Sequence, residues 1–350
     1  MHHDQPSQRI AVIGAGIAGA TCAASLHQAG LQVSLFEKSR GLGGRMATRR
    51  ATWTSGDGTA QTADFDHGAP WFNARHPRFR AAMARAERVG AVHSWQPQVH
   101  AAWPAPRKRP SFVAAPNMSA LCRHVLGDVP LHNGHAVQRL QRDSQGWHLV
   151  LEGGLSTGPF DQVMLALPPA QAAVLLAGHQ DGWADELVAR RMHACWTLMA
   201  VTNDVDWPWD AADIDRGPLA RVVRNDRKPG RQPQMGQAHW VAHATPAWSA
   251  AHLEADPLEI AQSLGTALAA LLPAGPLRWH HRAAHRWRYA VPAEASQDSR
   301  DCLFDGDTGL GVCGDFFGAG DVESAWRSGD ELADTVCAWL EQEEPVAEPA

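Results

Sequence analysis

The sequence predicts an α/β fold: a discontinuous domain with a central parallel sheet, interrupted by an inserted α+β body. Three observations predict it. The chain opens on a strand, a glycine loop, a helix and a second strand, and it closes on a strand, another glycine loop and a long helix. Between these ends the texture changes to alternating hairpins, proline-broken loops and tryptophan-rich strands. At 350 residues and 45% hydrophobic content the chain is long enough for two domains. Residues 1–75, 111–170 and 286–345 are expected to form the discontinuous domain, and residues 76–110 and 171–285 the inserted body. The acidic tail, 346–350, is expected to fray.

Each element follows from local pattern. Arg9–Ile13 is a short apolar run bounded by glycine and reads as a buried strand. Residues 18–29 are rich in small side chains and read as a helix ended by Gly30. Residues 31–37 alternate and return as a strand, completing a βαβ unit of about 30 residues, which requires a parallel sheet and a right-handed crossover. Residues 51–64 read as a polar connection, followed by the compact "DFDHGAPWFNAR". Residues 78–89 have helical composition, "WPAPRKRP" is a solvated basic loop, and 117–126 is a helix. "HAVQRLQRDSQGWHLVLEGG" is a hairpin about a Ser-Gln-Gly turn. The first domain is also expected to carry a three-stranded β extension. "FDQVMLALPPAQAAVLL" is a buried strand stopped by Pro168 and Pro169, with a helix behind it. Strand, glycine loop and helix recur in "GLGVCGDFFGAGDVESAWRSGDELADTVCAWL".

Composition excludes several functions. The net charge of −6 and pI near 6.3 give no electrostatic footprint for nucleic acid. Six cysteines are scattered without a C-x-x-C pair, which argues against a zinc ribbon, a dithiol motif or a disulfide scaffold and suits a reducing cytoplasm. No metal site is expected. No run of 18 apolar residues exists, so no membrane span is expected, and the polar N-terminus lacks a signal-peptide layout. Fifteen tryptophans stand against the single tyrosine, Tyr289.

The chemistry lies in the glycine clusters. Gly14, Gly16 and Gly19 form G-x-G-x-x-G between a strand and a helix: one glycine for the tight turn, one for backbone approach to a pyrophosphate, one for helix–sheet packing. The helix N-terminus at Ile17 and Ala18 supplies partial positive charge. Glu37 ends the next strand at the spacing of an acid that binds a ribose hydroxyl, and its charge would repel a 2′-phosphate. This half alone fits NAD or FAD. Gly43 and Gly44 then let the chain pass under an extended dinucleotide, and Arg45 can pair with its pyrophosphate; the bland alternative is a solvated loop. At the far end Gly314 and Asp315 follow a strand, and Asp315 can accept hydrogen bonds from a ribityl chain. The helix from Val322 and Glu323 can aim its N-terminus at a flavin ring, stabilising the charge of the reduced form. Asp321 either faces the ligand or caps that helix, and both roles can hold together. Clusters at both chain ends together imply one extended, non-covalent FAD.

These residues resemble the renalase group within the flavin amine-oxidase-like superfamily. The matching stretches are "GAGIAGATCAASL", "EKSRGLGGRM", "DHGAPWFNAR", "HATPAWSAAHL", "HRWRYA" and "GDFFGAGDVESAWRSG", spread from about residue 10 to 335. The resemblance implies a Rossmann-type, glutathione-reductase-like FAD domain with the ring at its border with the inserted substrate domain. It implies that Gly14, Gly16, Gly19, Glu37, Lys38, Arg45 and Met46 hold the adenosine diphosphate half and that the backbone of Val137 meets the adenine. Asp315 and Val322 would take the ribityl–flavin half, and the run from Gly68 through Ala69 and Pro70 to Trp71 would border the ring. It further implies oxidation of 2- or 6-dihydro isomers of NAD(P) by hydride transfer to flavin N5, with oxygen as acceptor and hydrogen peroxide as product. The group usually shows Gln-Tyr where this chain has Pro70-Trp71, and a non-acidic residue where it has Asp321.

Such chemistry rests on the cofactor and needs no general base. Partners are therefore a small hydride donor and oxygen, with oligomeric state open. Three residues are candidates for contact with the donor. Trp71 either stacks near the ring or fills core. His243 is either a substrate contact or a hydrogen-bonded structural histidine. Tyr289 either orients substrate through its hydroxyl or packs on a strand. Arg286 and Arg288 read as a solvated strand face, and "HHRAAH" as surface. The rival activity is oxidation of an amine or a carbon–carbon bond. Amine oxidases of the superfamily place a lysine near flavin N5, and of Lys38, Lys108 and Lys228 none stands where that role requires. A rival of another class is a flavin-binding sensor without turnover, supported by Pro70-Trp71.

Overall fold

The computed structural model describes residues 8–100, 111–232, 234–296 and 299–343. The loop "WPAPRKRP", with Lys108, and the tail 346–350 lie outside the described residues. In chain order the elements begin with β1 (Arg9–Ile13), α1 (Ile17–Gln28), β2 (Gln32–Glu37), β3 (Thr48–Thr54), β4 (Ala60–Asp66), β5 (Phe72–Asn73) and α2 (Pro77–Arg88). Then come β6 (Val92–Trp95), β7 (Val99–His100), β8 (Ser111–Ala114), α3 (Ser119–Leu126), β9 (Leu131–Asn133), β10 (Val137–Asp143), β11 (Gly146–Leu151), β12 (Ser156–Phe160) and β13 (Gln162–Leu165). They continue as α4 (Pro169–Leu176), α5 (Asp181–Ala189), β14 (Met192–Asn203), β15 (Ala211–Asp213), β16 (Leu219–Arg224) and β17 (Gln237–Ala244). The last are α6 (Pro246–Ala251), α7 (Pro257–Ala269), β18 (Trp279–Pro292), β19 (Cys302–Asp305), β20 (Leu310–Cys313) and α8 (Val322–Glu343).

Proline opens α2, α4, α6 and α7, where its missing N–H costs nothing and its fixed φ suits the first turn. The hydroxyl of Thr245 caps α6 and the carboxylate of Asp256 caps α7 by accepting first-turn N–H bonds.

Contacts divide the chain into two units. The first comprises Met1–Gly44, Cys122–Arg191 and Pro292–Ala350, the second Arg45–Leu121 and Met192–Val291. Residues 45–75, 111–121 and 286–291, expected with the first body, fall with the second, and residues 171–191 fall with the first. The reason is local packing. The side chains of Ala63 and Phe65 on β4 bury against Met199, Val201 and Val241 of the second unit, while Ala172, Leu176 and Leu187 on α4 and α5 complete the core of the first.

The first unit holds a six-stranded sheet of order β19-β20-β13-β1-β2-β9. Its strands run parallel except for the antiparallel edge pair β19–β20. This is the Rossmann-type α/β architecture, and near-continuous apolar strands such as β13, buried at every position, are what a sheet covered on both faces requires. Strands β10, β11 and β12 form the antiparallel three-stranded extension. Residues 51–64 are not a plain connection: β3 and β4 pair in register from Thr48↔Asp66 to Thr54↔Ala60. The tip is closed by Asp57, which accepts from Ser55 Oγ and Thr59 N.

The second unit is built on a six-stranded sheet of order β18-β14-β17-β16-β15-β7. One face packs Trp196, Leu198, Trp240 and Val222 under Ile260, Leu264 and Leu268 of α7. The opposite face takes the β3–β4 hairpin through Phe65, Ala63 and Trp53. Beyond the hairpin this face carries the polar side chains described next.

Candidate functional site

In the first unit the two glycine clusters meet. Gly43 N donates to Ala15 O at 2.8 Å, and a methyl group built on Gly44 would sit 3.1 Å from Gly16 Cα; Gly43 and Gly44 take φ +127° and +52°, where a side chain is strained. Gly14 takes φ +104° at the turn out of β1, open only to glycine, and a methyl on Gly19 would overlap the Gly14 carbonyl. No side chain caps α1 at Gly16, and its first turn, including Ile17 and Ala18, holds no acid. An uncapped helix start behind a glycine turn suits a diphosphate. Glu37 is buried; its Oε2 accepts from Ala15 N at 2.9 Å and its Oε1 from Ser39 N at 2.8 Å. Each oxygen keeps a lone pair, so the carboxylate both braces the loop and remains able to accept a ribose hydroxyl. Lys38 is exposed beside it and Val137 is half-buried at the start of β10.

The closing segment lies in the same unit. Gly314 N donates to Ser328 Oγ at 2.8 Å, and Asp315 is buried at the start of a 3₁₀ turn whose carbonyl receives Gly318 N and Gly320 N. Asp321 accepts from Ser324 N at 2.8 Å and so caps α8, where Val322 and Glu323 are buried. Helix α8 reaches α1 at Gly329, where any side chain would strike Ala18 O.

In the second unit the segment 66–71 is clamped from all sides. Asp66, fully buried, accepts from Thr48 Oγ1, Met118 N, Lys228 Nζ and the Arg231 guanidinium at 2.6–3.2 Å. Burial alone would raise the Asp66 pKa, but the Lys228 ammonium and Arg231 guanidinium hold it far below the usual carboxylate range. Burial pulls Lys228 down to about 8 against the pull of Asp66, so both stay ionised at neutral pH. Lys228 is wholly buried and committed to Asp66. His67 O accepts from Trp287 Nε1 at 3.0 Å and Gly68 O pairs with His243 Nε2 at 2.9 Å. Ala69 N donates to Arg45 O at 2.8 Å, and Arg45 in turn donates to Ala290 O at 3.0 Å. Met46 is buried and Pro70 half-buried nearby in the chain.

Three buried or half-buried histidines of this unit, His67, His243 and His285, are held neutral. Burial, with the His285 ring and nearby cations adding to it, lowers His67 to about 3; burial and Arg221 lower His243 to about 4; burial and Arg49 lower His285 to about 4. His67, His285 and Trp287 form a three-ring cluster with centroids 4.5–4.8 Å apart. The segment "HHRAAH" is consequently not a plain surface. His281 and His285 alternate on β18, His281 stacking on Trp53 at 5.3 Å and His285 joining this cluster. Tyr289 continues the same alternation, half-buried. Trp71 lies edge-on to Trp95 and carries the Arg221 guanidinium over its ring at 4.7 Å. Arg286 and Arg288 both pair with Glu254. Sequence reading passed over Asp66, Lys228, Arg231, Arg221, Asp213 and the three-ring cluster. Strand register and pairing between distant segments bring them together, so no local signal marked them.

Comparison with known proteins agrees with the fold. Residues 12–86 match the NAD(P)-binding Rossmann-like domain family and residues 108–337 the flavin containing amine oxidoreductase family. A tRNA 5-methylaminomethyl-2-thiouridine biosynthesis bifunctional protein MnmC of Magnetococcus marinus is 31% identical over 199 residues, 46% of this chain. The match spans only 30% of that relative's length. A putative protoporphyrinogen oxidase from Exiguobacterium superposes with TM-score 0.70 at 13% identity, covering 97% of this chain and all of that one. Reduced UDP-galactopyranose mutase gives 0.68 at 11% identity over 95% of this chain and 96% of its own. Putrescine oxidase bound to putrescine gives 0.61 at 12% over 95% of this chain and all of its own. No helix among the described residues is long and apolar enough to cross a membrane. A glycine-clad dinucleotide loop, a parallel sheet and a family match over most of the chain make this an FAD-dependent oxidoreductase, and the chain belongs to the flavin containing amine oxidoreductase family.

Proposed function

We propose that the protein is a renalase-like oxidase of dihydronicotinamides, the 2- and 6-dihydro isomers of NAD(P). FAD, when bound, accepts a hydride at N5 and passes the electrons to oxygen as hydrogen peroxide. In this reading Gly14, Gly16, Ile17, Ala18, Gly19, Glu37, Lys38, Gly43, Gly44, Arg45, Met46 and Val137 hold the adenosine diphosphate half. Gly314, Asp315, Val322 and Glu323 hold the ribityl and ring half, and Gly68, Ala69 and Pro70 border the ring. Trp71, His243 and Tyr289 meet the donor.

The observation that carries the reading is the clamping of 66–71. Its carbonyls are fixed by Trp287 and His243 and its carboxylate by two buried cations, so this segment is a rigid wall. Hydride transfer asks the protein for such a wall and for orientation, and asks no side chain to carry a proton. His243 and His67 suit that role because they stay neutral throughout the physiological range. The rival reading, amine oxidation, is favoured by the family match. Against it, Lys228 is spent on Asp66 and cannot serve a flavin-side water.

Anaerobic mixing of the holoenzyme with 6-dihydro-NAD should bleach the flavin within seconds, and admitting oxygen should restore the colour with release of peroxide. A panel of amines, putrescine included, should leave it yellow. Bleaching by an amine and by neither dihydro isomer would reverse the assignment; bleaching by no organic donor would favour the sensor.

A further inference from the structure

The sheet face opposite α7 carries one polar row set by strand register. Thr197 on β14 stands opposite His243 on β17, His243 opposite Arg221 on β16, and Arg221 opposite Asp213 on β15. Directly opposed residues of antiparallel strands project to the same side. His243 is engaged with Gly68 O. Arg221 is different. Its Nε donates to Asp213 Oδ1 at 2.6 Å, its guanidinium carbon lies 4.7 Å from the Trp71 ring centre, and its side chain is 38% exposed. Among the described residues the Nη1 and Nη2 nitrogens have no acceptor.

The guanidinium is therefore fixed in plane by a carboxylate at Nε and in height by an indole face, with its two-nitrogen edge open. A planar fork held this way meets a phosphate or carboxylate with two parallel charge-assisted bonds and loses little side-chain freedom in doing so. We propose that Arg221 anchors an anionic group of the hydride donor, phosphate or carboxylate, and so selects anionic donors over neutral or cationic ones. This rests on the function proposed above and narrows it, since a protonated amine would face a guanidinium where a nucleotide phosphate would find a partner.

The test uses the FAD-loaded enzyme and two matched donors, 6-dihydronicotinamide mononucleotide and the corresponding riboside, which lacks the phosphate. Flavin bleaching is expected to give an apparent Kd at least tenfold lower for the mononucleotide. Arg221→Met should erase at least tenfold of that preference, and Arg221→Lys, which keeps charge without the fork, should restore part of it. Calorimetric titration with pyrophosphate and with benzoate reads the site without turnover and separates phosphate from carboxylate recognition. Saturable binding of either anion, weakened tenfold or more in Arg221→Met, supports the anchor. Equal donor preference in wild type and Arg221→Met, or anion binding indifferent to the substitution, overturns it. If neither donor bleaches the flavin while pyrophosphate binding still depends on Arg221, the hydride reading fails and the anion site stands.

Discussion

Asp66 and Glu37 are both buried carboxylates held by defined partners. Asp66 sits at full burial between two cations, and removing its charge leaves Lys228 and Arg231 buried without compensation. Asp66→Asn should therefore cost about 3–5 kcal/mol of stability, measured by urea denaturation, whereas removing an exposed pair such as Arg288–Glu254 should leave the denaturation midpoint nearly unchanged. Glu37 braces the dinucleotide loop through two backbone N–H groups. Glu37→Gln turns an amide against one of those donors, and losing one charge-assisted bond predicts an FAD Kd raised about tenfold or more, read by flavin release on dilution. Glu37 was legible because it ends the second strand of one βαβ unit at a fixed spacing from Gly14, Gly16 and Gly19. Asp66 was not: its partners Met118, Lys228 and Arg231 come from distant segments, and no local pattern marks them.

Among the elements, β17 and β18 hold histidines that folding keeps uncharged. Ordinary histidine titrates near 6.5, and His243 is lowered to about 4 by burial and by Arg221. Below 6.5 the unfolded chain takes up a proton that the folded chain refuses, so stability is complete above that pH and falls as pH drops toward 4. The loss approaches about 1.4 kcal/mol per pH unit for one such site. His243→Gln keeps a donor for Gly68 O and removes the titration, so its denaturation midpoint should vary less between pH 6.5 and 4.5 than the wild type's. The β3–β4 hairpin escaped sequence reading because "TRRATWT" is polar at all but Ala51 and Trp53, too few apolar residues to show a period of two. Only the covered sheet reveals that Trp53 and Phe65 are its inward side chains. The same cover explains "HHRAAH": His281 and His285, four apart, look hydrophilic in a string and become a half-buried stripe on one face of a strand.

Over the whole molecule, legibility followed contact range. The βαβ opening, the hairpin beginning at Val137, the proline-stopped β13 and the closing helix were readable because each is specified by neighbours in sequence. Where one body gives way to the other is not written locally, because side-chain burial of Ala63, Phe65 and Leu187 decides which body a segment joins. The polar row ending in Arg221 and Asp213 is likewise a product of strand register. What remains is whether the site takes a hydride. Donor deuterated at the transferring carbon of 6-dihydro-NAD measures this most directly: anaerobic flavin bleaching should be rapid with the protiated donor and slowed several-fold by deuterium. Absence of bleaching, or bleaching that appears only with putrescine or another amine, would contradict the account.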